Sequence, residues 1–183
     1  MKKLLIAMAV LFTIAGGLFA NGLENKNAIG MYILGSQNAV GGIQYERRFT
    51  DLVSTKFGVY AMYNQKSNYD PFNCNFTVET DFNLYETTWK EKVSSRLFAY
   101  GMVGYIGSLA YEAPDYSVSE QENNPTAAKN PQMSNDVVLS AGFGFDFIFF
   151  DHLSLPIQFG FMGTFPDNPN VSFCGGIALR YTW

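Results

Sequence analysis

The one histidine of the 183-residue chain, His152, follows Asp151 and lies two residues before Ser154. Imidazole, carboxylate and hydroxyl are the parts of a nucleophilic catalyst, provided the base reaches the hydroxyl inside a shaped pocket. The stretch "FFDHLSLP" reads instead as a short turn between two apolar segments. A surface turn offers neither pocket nor fixed geometry, so His152 is expected to be a polar turn residue and the chain not to be an enzyme. Cys74 and Cys174 are the two cysteines. No CxxC or His/Cys spacing accompanies them, so no metal site is expected. They fall at the same end of predicted strands on opposite sides of the fold, whereas a disulfide needs Cα atoms within about 7 Å. Two separate thiols are expected unless a loop folds inward. "GFGF" at 142–145 continues a strand and opens no helix, which excludes a nucleotide loop. No cofactor is implied.

Seven further charges share an unusual position. Glu46, Arg48, Lys56, Glu79, Asp81, Asp146 and Arg180 each stand on the face of their segment opposite the large apolar residues. Glu46 and Lys56 are equidistant from a turn centred near Asp51, so they should oppose each other across a hairpin. Asp146 and Arg180 should lie at similar depth. Mixed signs in a confined interior pair or keep water. They are read as a salt-bridged plug, with a selectivity filter or proton path as the rival.

The elements that carry them alternate with period two. Val171, Phe173, Ile177, Leu179, Tyr181 and Trp183 share one face, and Ser172, Cys174, Gly176, Ala178, Arg180 and Thr182 the other. Leu153, Leu155, Ile157, Phe159, Phe161 and Phe165 repeat the pattern, as do Val137, Leu139, Phe143, Phe145 and Phe147. A soluble sandwich would place Lys and Glu on its second face. Here that face is Gly, Ser, Thr and isolated charges, which suits a narrow lumen with lipid outside. Eight strands are predicted, near 27–36, 39–49, 53–64, 74–90, 96–112, 135–150, 153–165 and 171–183. The first and fifth, "AIGMYILG" and "RLFAYGMVGYIGSLAY", are apolar on both faces and leave their register open.

Composition agrees. Aromatics reach 16%, while charged residues stop at 15% against roughly 25% in soluble domains. The start, "MKKLLIAMAVLFTIAGGLFA", has two lysines, an apolar run and small residues, the layout of a secretory signal. Residues 1–20 are expected to be cleaved and 21–183 to form one barrel. A net charge of −4 leaves no basic footprint for nucleic acid.

"QYERRFTDLVSTKFGVYAMY", "FAYGMVGYIG" and the closing "GIALRYTW" resemble the hairpins and strands of small OmpA-, OmpX- and OmpW-like outer-membrane barrels. The resemblance implies an all-β, eight-stranded antiparallel up-and-down transmembrane β-barrel in the bacterial outer membrane. It also implies a C-terminal signal for the barrel assembly machinery, here Ile177, Leu179, Tyr181 and Trp183. Short turns near 51, 93 and 152 and longer connections elsewhere place both termini in the periplasm. Trp89, Phe149, Phe150, Tyr181 and Trp183 would form the periplasmic aromatic girdle, facing outer-membrane lipid, with Tyr63 and Phe165 in the outer one. The acidic, proline-containing connection 113–134 would meet any host or surface ligand. Two roles stay open: a structural and surface-interaction barrel of the envelope, or a passive channel for small solutes, hydrophobic ones included.

Overall fold

In the computed structural model the described residues are 25–35, 39–63, 72–89, 93–110, 132–167 and 169–183. The predicted signal segment and most of the connection 113–134 lie outside them. Eight strands follow one another: β1 (Asn27–Gly35), β2 (Ala39–Arg48), β3 (Val53–Tyr63), β4 (Phe72–Trp89), β5 (Val93–Ala110), β6 (Gln132–Phe149), β7 (Leu153–Pro166) and β8 (Asn170–Thr182). Each pairs antiparallel with the next, and β8 returns to β1, so the sheet closes into a barrel in sequence order. Closure removes the free edges that an open sheet would expose. Asn25, Trp183, the turns near 50 and 151 and the paired strand ends Trp89 and Val93 share one end, hereafter the terminal end. The opposite ends of the strands form the loop end.

Side-chain alternation produces the inside-out layout. Met31, Ile33, Ile43, Val59, Phe76, Val103, Leu139, Phe143, Phe161, Phe173 and Leu179 point outward and stay exposed, while charged and small residues turn inward. A surface of this kind is stable only against lipid, so the strands form a transmembrane barrel.

Two boundaries differ from the expectation. β5 begins at Val93 rather than near 96, and β6 at Gln132 rather than near 135. Their ladder runs unbroken from Val93↔Phe149 to Ala110↔Gln132. Backbone hydrogen bonds continue past the apolar belt through Ser94, Ser95, Ser134 and Asn135, where hydrophobic alternation gives no signal. Residues 132–134 of the predicted connection therefore belong to β6.

Local devices set the terminal end. A bulge between Asn83 and Tyr85 lets Leu84 and Tyr85 both face outward. The bulge inverts the alternation of β4 below it and turns Trp89 outward as well. At the β6–β7 turn, Phe150 and Asp151 have φ of 51° and 65°, and the His152 amide donates to Phe149 O at 3.2 Å. Positive φ at both central residues is the two-residue turn whose twist suits a hairpin. At the β2–β3 turn, Thr50 Oγ1 accepts from the amides of Leu52 and Val53 at 3.3 and 3.0 Å.

Candidate functional site: a two-layered lumen

All seven charges read from the sequence as inward are buried inside the barrel. Glu46 does oppose Lys56 in the β2–β3 register. The ionic partners of Lys56, however, lie on its other neighbouring strand, where Glu79 stands opposite it in the register. Lys56 Nζ lies 2.6 Å from Glu79 Oε1 and 2.7 Å from Asp81 Oδ2, both on β4, the second approach lying off the hydrogen-bonding direction. Glu79 also accepts from Gln158 Nε2 at 2.6 Å, across the lumen on β7.

Glu46 instead joins a four-membered ring of charge. Arg96 NH2 is 3.1 Å from Glu46 Oε1 and 2.8 Å from Asp146 Oδ2. Arg180 NH1 is 2.6 Å from Glu46 Oε2, and its NH2 is 2.9 Å from Asp146 Oδ2. Each carboxylate bridges both arginines, and each arginine bridges both carboxylates. Ser154 Oγ completes the corner by donating to Asp146 Oδ1 at 2.7 Å and accepting from Arg180 NH2 at 3.1 Å. Lys56 also sits over the Phe98 ring at 4.5 Å from its centroid, a cation–π contact that the apolar surroundings strengthen.

Arg96 was not among the expected residues. β5 is apolar on both faces, so hydrophobicity could not say which way its single arginine points. The available signal was parity with the nearby Ser94. With Arg96 included, this layer holds four buried cations (Arg48, Lys56, Arg96, Arg180) and four buried carboxylates (Glu46, Glu79, Asp81, Asp146) among the described residues. Counted as ionised, these eight side chains cancel. Between it and the terminal end, Arg48, Arg96, Asp146, Ile148 and Thr182 line a cavity of about 10 Å³, room for roughly one water.

Toward the loop end the lumen holds an apolar cluster, with buried Thr77, Ser140, Thr164 and Asp136 beside it, and the expectation of a lumen lined by charges and glycine had not included that cluster. Tyr32, Leu34, Val40, Phe98, Tyr100, Met102, Val138, Met162, Cys174 and Ala178 form one packed cluster. β1 and β5, the two strands of open register, supply five of these side chains. The inward glycines receive them. A Cβ at Gly58 would collide with the Tyr32 ring and one at Gly144 with the Phe98 ring. At Gly160 it would lie 2.7 Å from Tyr100 Oη, and at Gly176 2.7 Å from Leu34 Cδ1. Large residues from β1 and β5 thus fill sockets on β3, β6, β7 and β8. The Tyr32 and Thr77 hydroxyls, at 2.6 Å, tie this layer across the lumen.

The remaining candidates fall elsewhere. His152 Nδ1 is 2.9 Å from Thr182 O, and its ring stacks on Tyr181 at 5.3 Å. Tyr181 in turn stacks on Trp183 at 6.1 Å. Ser154 points into the lumen, so His152 and Ser154 are not brought together. Trp89, Phe150 and Trp183 are exposed at the terminal end, with Phe149 and Tyr181 half-buried there; Tyr63 and Phe165 are exposed at the loop end. Ile177 and Leu179 face outward on β8. Both cysteines are free: Cys174 is buried in the apolar layer, while Cys74 lies half-buried on the outer face. A depression of about 570 Å³ over Gly101 and Ala141 lies on the outer wall, outside the lumen.

A closed, eight-stranded, up-and-down barrel with an apolar exterior and a compensated ionic interior has the architecture of small outer-membrane barrels. Among solved structures, the chain is similar to the N-terminal β-barrel domain of Pseudomonas aeruginosa OprF. The TM-score is 0.51 at 9% identity, over 87% of this chain and 98% of that one. Ail, the attachment invasion locus protein of Yersinia pestis, matches with TM-score 0.43 and 13% identity, over 87% of this chain and 97% of that one. No protein-family model and no curated protein sequence matches the chain.

Proposed function

We propose that the chain is an integral protein of the bacterial outer membrane whose closed barrel has a structural role and whose loop end carries any surface interaction. Both termini then lie in the periplasm and the longer connections outside. The observation that carries this reading is the doubly sealed lumen: a neutral ring of ion pairs beneath a packed apolar layer. An ion crossing it would have to break buried pairs and then shed its hydration in the apolar cluster. Ile177, Leu179, Tyr181 and Trp183 would serve as the assembly signal, and the terminal-end aromatics as the interfacial girdle. His152 is tied to a backbone carbonyl and an aromatic stack, which supports a non-enzymatic role.

The alternative, passage of small solutes, requires both layers to part. Conductance of the purified protein in planar bilayers tests the choice. A silent membrane, or rare brief openings, is expected. A steady open pore would overturn the sealed-lumen reading.

A further inference from the structure

Closure leaves an overhang at the terminal end. β3 and β4 pair from Tyr63↔Phe72 down to Val53↔Phe82, where β3 begins. The β2–β3 turn covers one residue more: the Asn83 amide donates to Leu52 O at 2.8 Å, and Asn83 Nδ2 to Asp51 O at 2.6 Å. β4 nevertheless runs on to Trp89, and β5 alone accompanies it, as far as Trp89↔Val93. Leu84–Trp89 is therefore a strand edge, about 20 Å of chain. Among the described residues nothing pairs with it on the side away from β5.

The residues of this edge are those of a surface in water or at the membrane interface. Unpaired backbone does not lie in hydrocarbon. Glu86, Thr87 and Thr88 are polar, and Trp89 is an aromatic of the interfacial kind. Tyr85, Thr87, Thr88 and Trp89 are all exposed.

Natural edges are commonly blunted by proline or by a bulge. Proline is absent from Leu84–Trp89. The bulge lies at the start of the edge, between Asn83 and Tyr85, and from Tyr85↔Leu97 to Trp89↔Val93 the register is regular. The edge thus keeps the straight spacing that an added strand requires. Its one charge also lacks an answer. Glu86 is half-buried, and its Oε1 has no hydrogen-bond partner among the described residues. Arg96, opposite it in the register, is bound to Glu46 and Asp146 instead.

We infer that Leu84–Trp89 is a docking edge that takes an extended segment of a periplasmic protein as an added strand, with a basic residue of that segment beside Glu86. Main-chain hydrogen bonds supply the affinity in this mode of recognition, and alternate side chains the specificity. Tyr85 and Trp89 offer the apolar positions and Glu86 the charged one. A second copy is not the occupant. Barrels in one membrane present β4 in the same direction, so two such edges cannot run antiparallel to each other. The periplasmic source rests on the orientation proposed above, whereas the edge itself does not.

The test uses the full protein in lipid nanodiscs and a synthetic peptide of alternating valine and threonine with one central lysine. Residue-resolved amide hydrogen exchange reads the edge. In the free protein the amides of Leu84–Trp89 that point away from β5 should exchange fast, while those of the β3–β4 ladder stay protected. The peptide should slow the fast amides and leave the others unchanged. A peptide with glutamate in place of lysine should bind about two- to fivefold more weakly, the range of one cross-strand charge pair. Glu86→Gln should abolish that difference. Amides already protected in the free protein would mean that the chain covers its own edge. No slowing with the peptide would mean that the edge accepts no strand. Either result overturns the site. Maleimide labelling of Thr87→Cys, with Cys74→Ser and Cys174→Ser, tests the orientation separately in whole cells. Labelling only after the outer membrane is permeabilised is expected. Labelling of intact cells would overturn the periplasmic source and leave the docking edge standing.

Discussion

Arg96 and Arg180 approach the same carboxylate oxygen, Asp146 Oδ2, at 2.8 and 2.9 Å from opposite sides. Two guanidinium groups this close are tolerable only with the anion between them. Asp146→Asn leaves both buried cations dependent on Glu46. Removing one partner of a buried ion network costs about 3–5 kcal/mol, because the remaining charge stays desolvated. The urea midpoint of the protein in lipid vesicles should fall accordingly, while Asp51→Asn, exposed in the β2–β3 turn, should leave it nearly unchanged.

The glycine sockets predict coupled effects. Gly144→Ala should destabilise by about 1–3 kcal/mol, since the new methyl meets the Phe98 ring in a packed layer. Phe98→Leu alone should also destabilise, by leaving a void. The double variant should be more stable than the two losses added together, with a coupling of about 0.5–3 kcal/mol. Strict additivity in unfolding midpoints would mean that the ring does not occupy the socket.

Closure predicts gel behaviour. With every strand hydrogen-bonded on both sides over most of its length, the folded chain should resist SDS until heated and shift mobility on boiling. Identical mobility of boiled and unboiled samples would contradict the closed barrel.

Trp183 is exposed at the terminal end, and its backbone amide donates to Asn27 O at 3.0 Å across the β1–β8 seam. Trp183→Asp should place a charge at the interface and lower the amount of folded protein in the outer membrane. Trp183→Phe should retain it. Fractionation with the gel-shift readout distinguishes them.

Deleting residues 116–130 removes no residue of the β5–β6 ladder, which ends at Ala110↔Gln132. The shortened protein should keep its gel shift. If the loop end carries a surface interaction through this connection, adhesion should fall while barrel stability holds.

Much of the fold was legible because each strand reports its orientation twice, through large apolar residues on one face and small or charged ones on the other. β6, β7 and β8 could be oriented residue by residue. β1 and β5 could not, and the reason is structural: Tyr32, Leu34, Phe98, Tyr100 and Met102 are apolar residues turned inward. Their sockets are glycines on other strands, and period-two hydrophobicity within one segment carries no trace of a partner elsewhere. The same ambiguity hid Arg96. For Lys56, the tight β2–β3 turn gave its neighbour Glu46 but not its ion pair Glu79, which stands opposite it in the β3–β4 register, because the longer connection between those strands sets no register in the sequence. The end of the β2–β3 ladder at Ile43↔Val59 was equally unreadable, because "GG" at 41–42 marks a close approach without saying which strand comes near.

The ring of charge also constrains the order of events during insertion. Glu46 belongs to the second strand, yet its partners arrive with the fifth and the eighth. A chain halted after four strands would hold Glu46 with neither arginine, and Leu34 without the Gly176 socket that receives it. Such an intermediate has no comfortable resting place in a bilayer. The barrel should therefore assemble as a single commitment, in which the last strand to arrive brings the arginine that the second strand lacks.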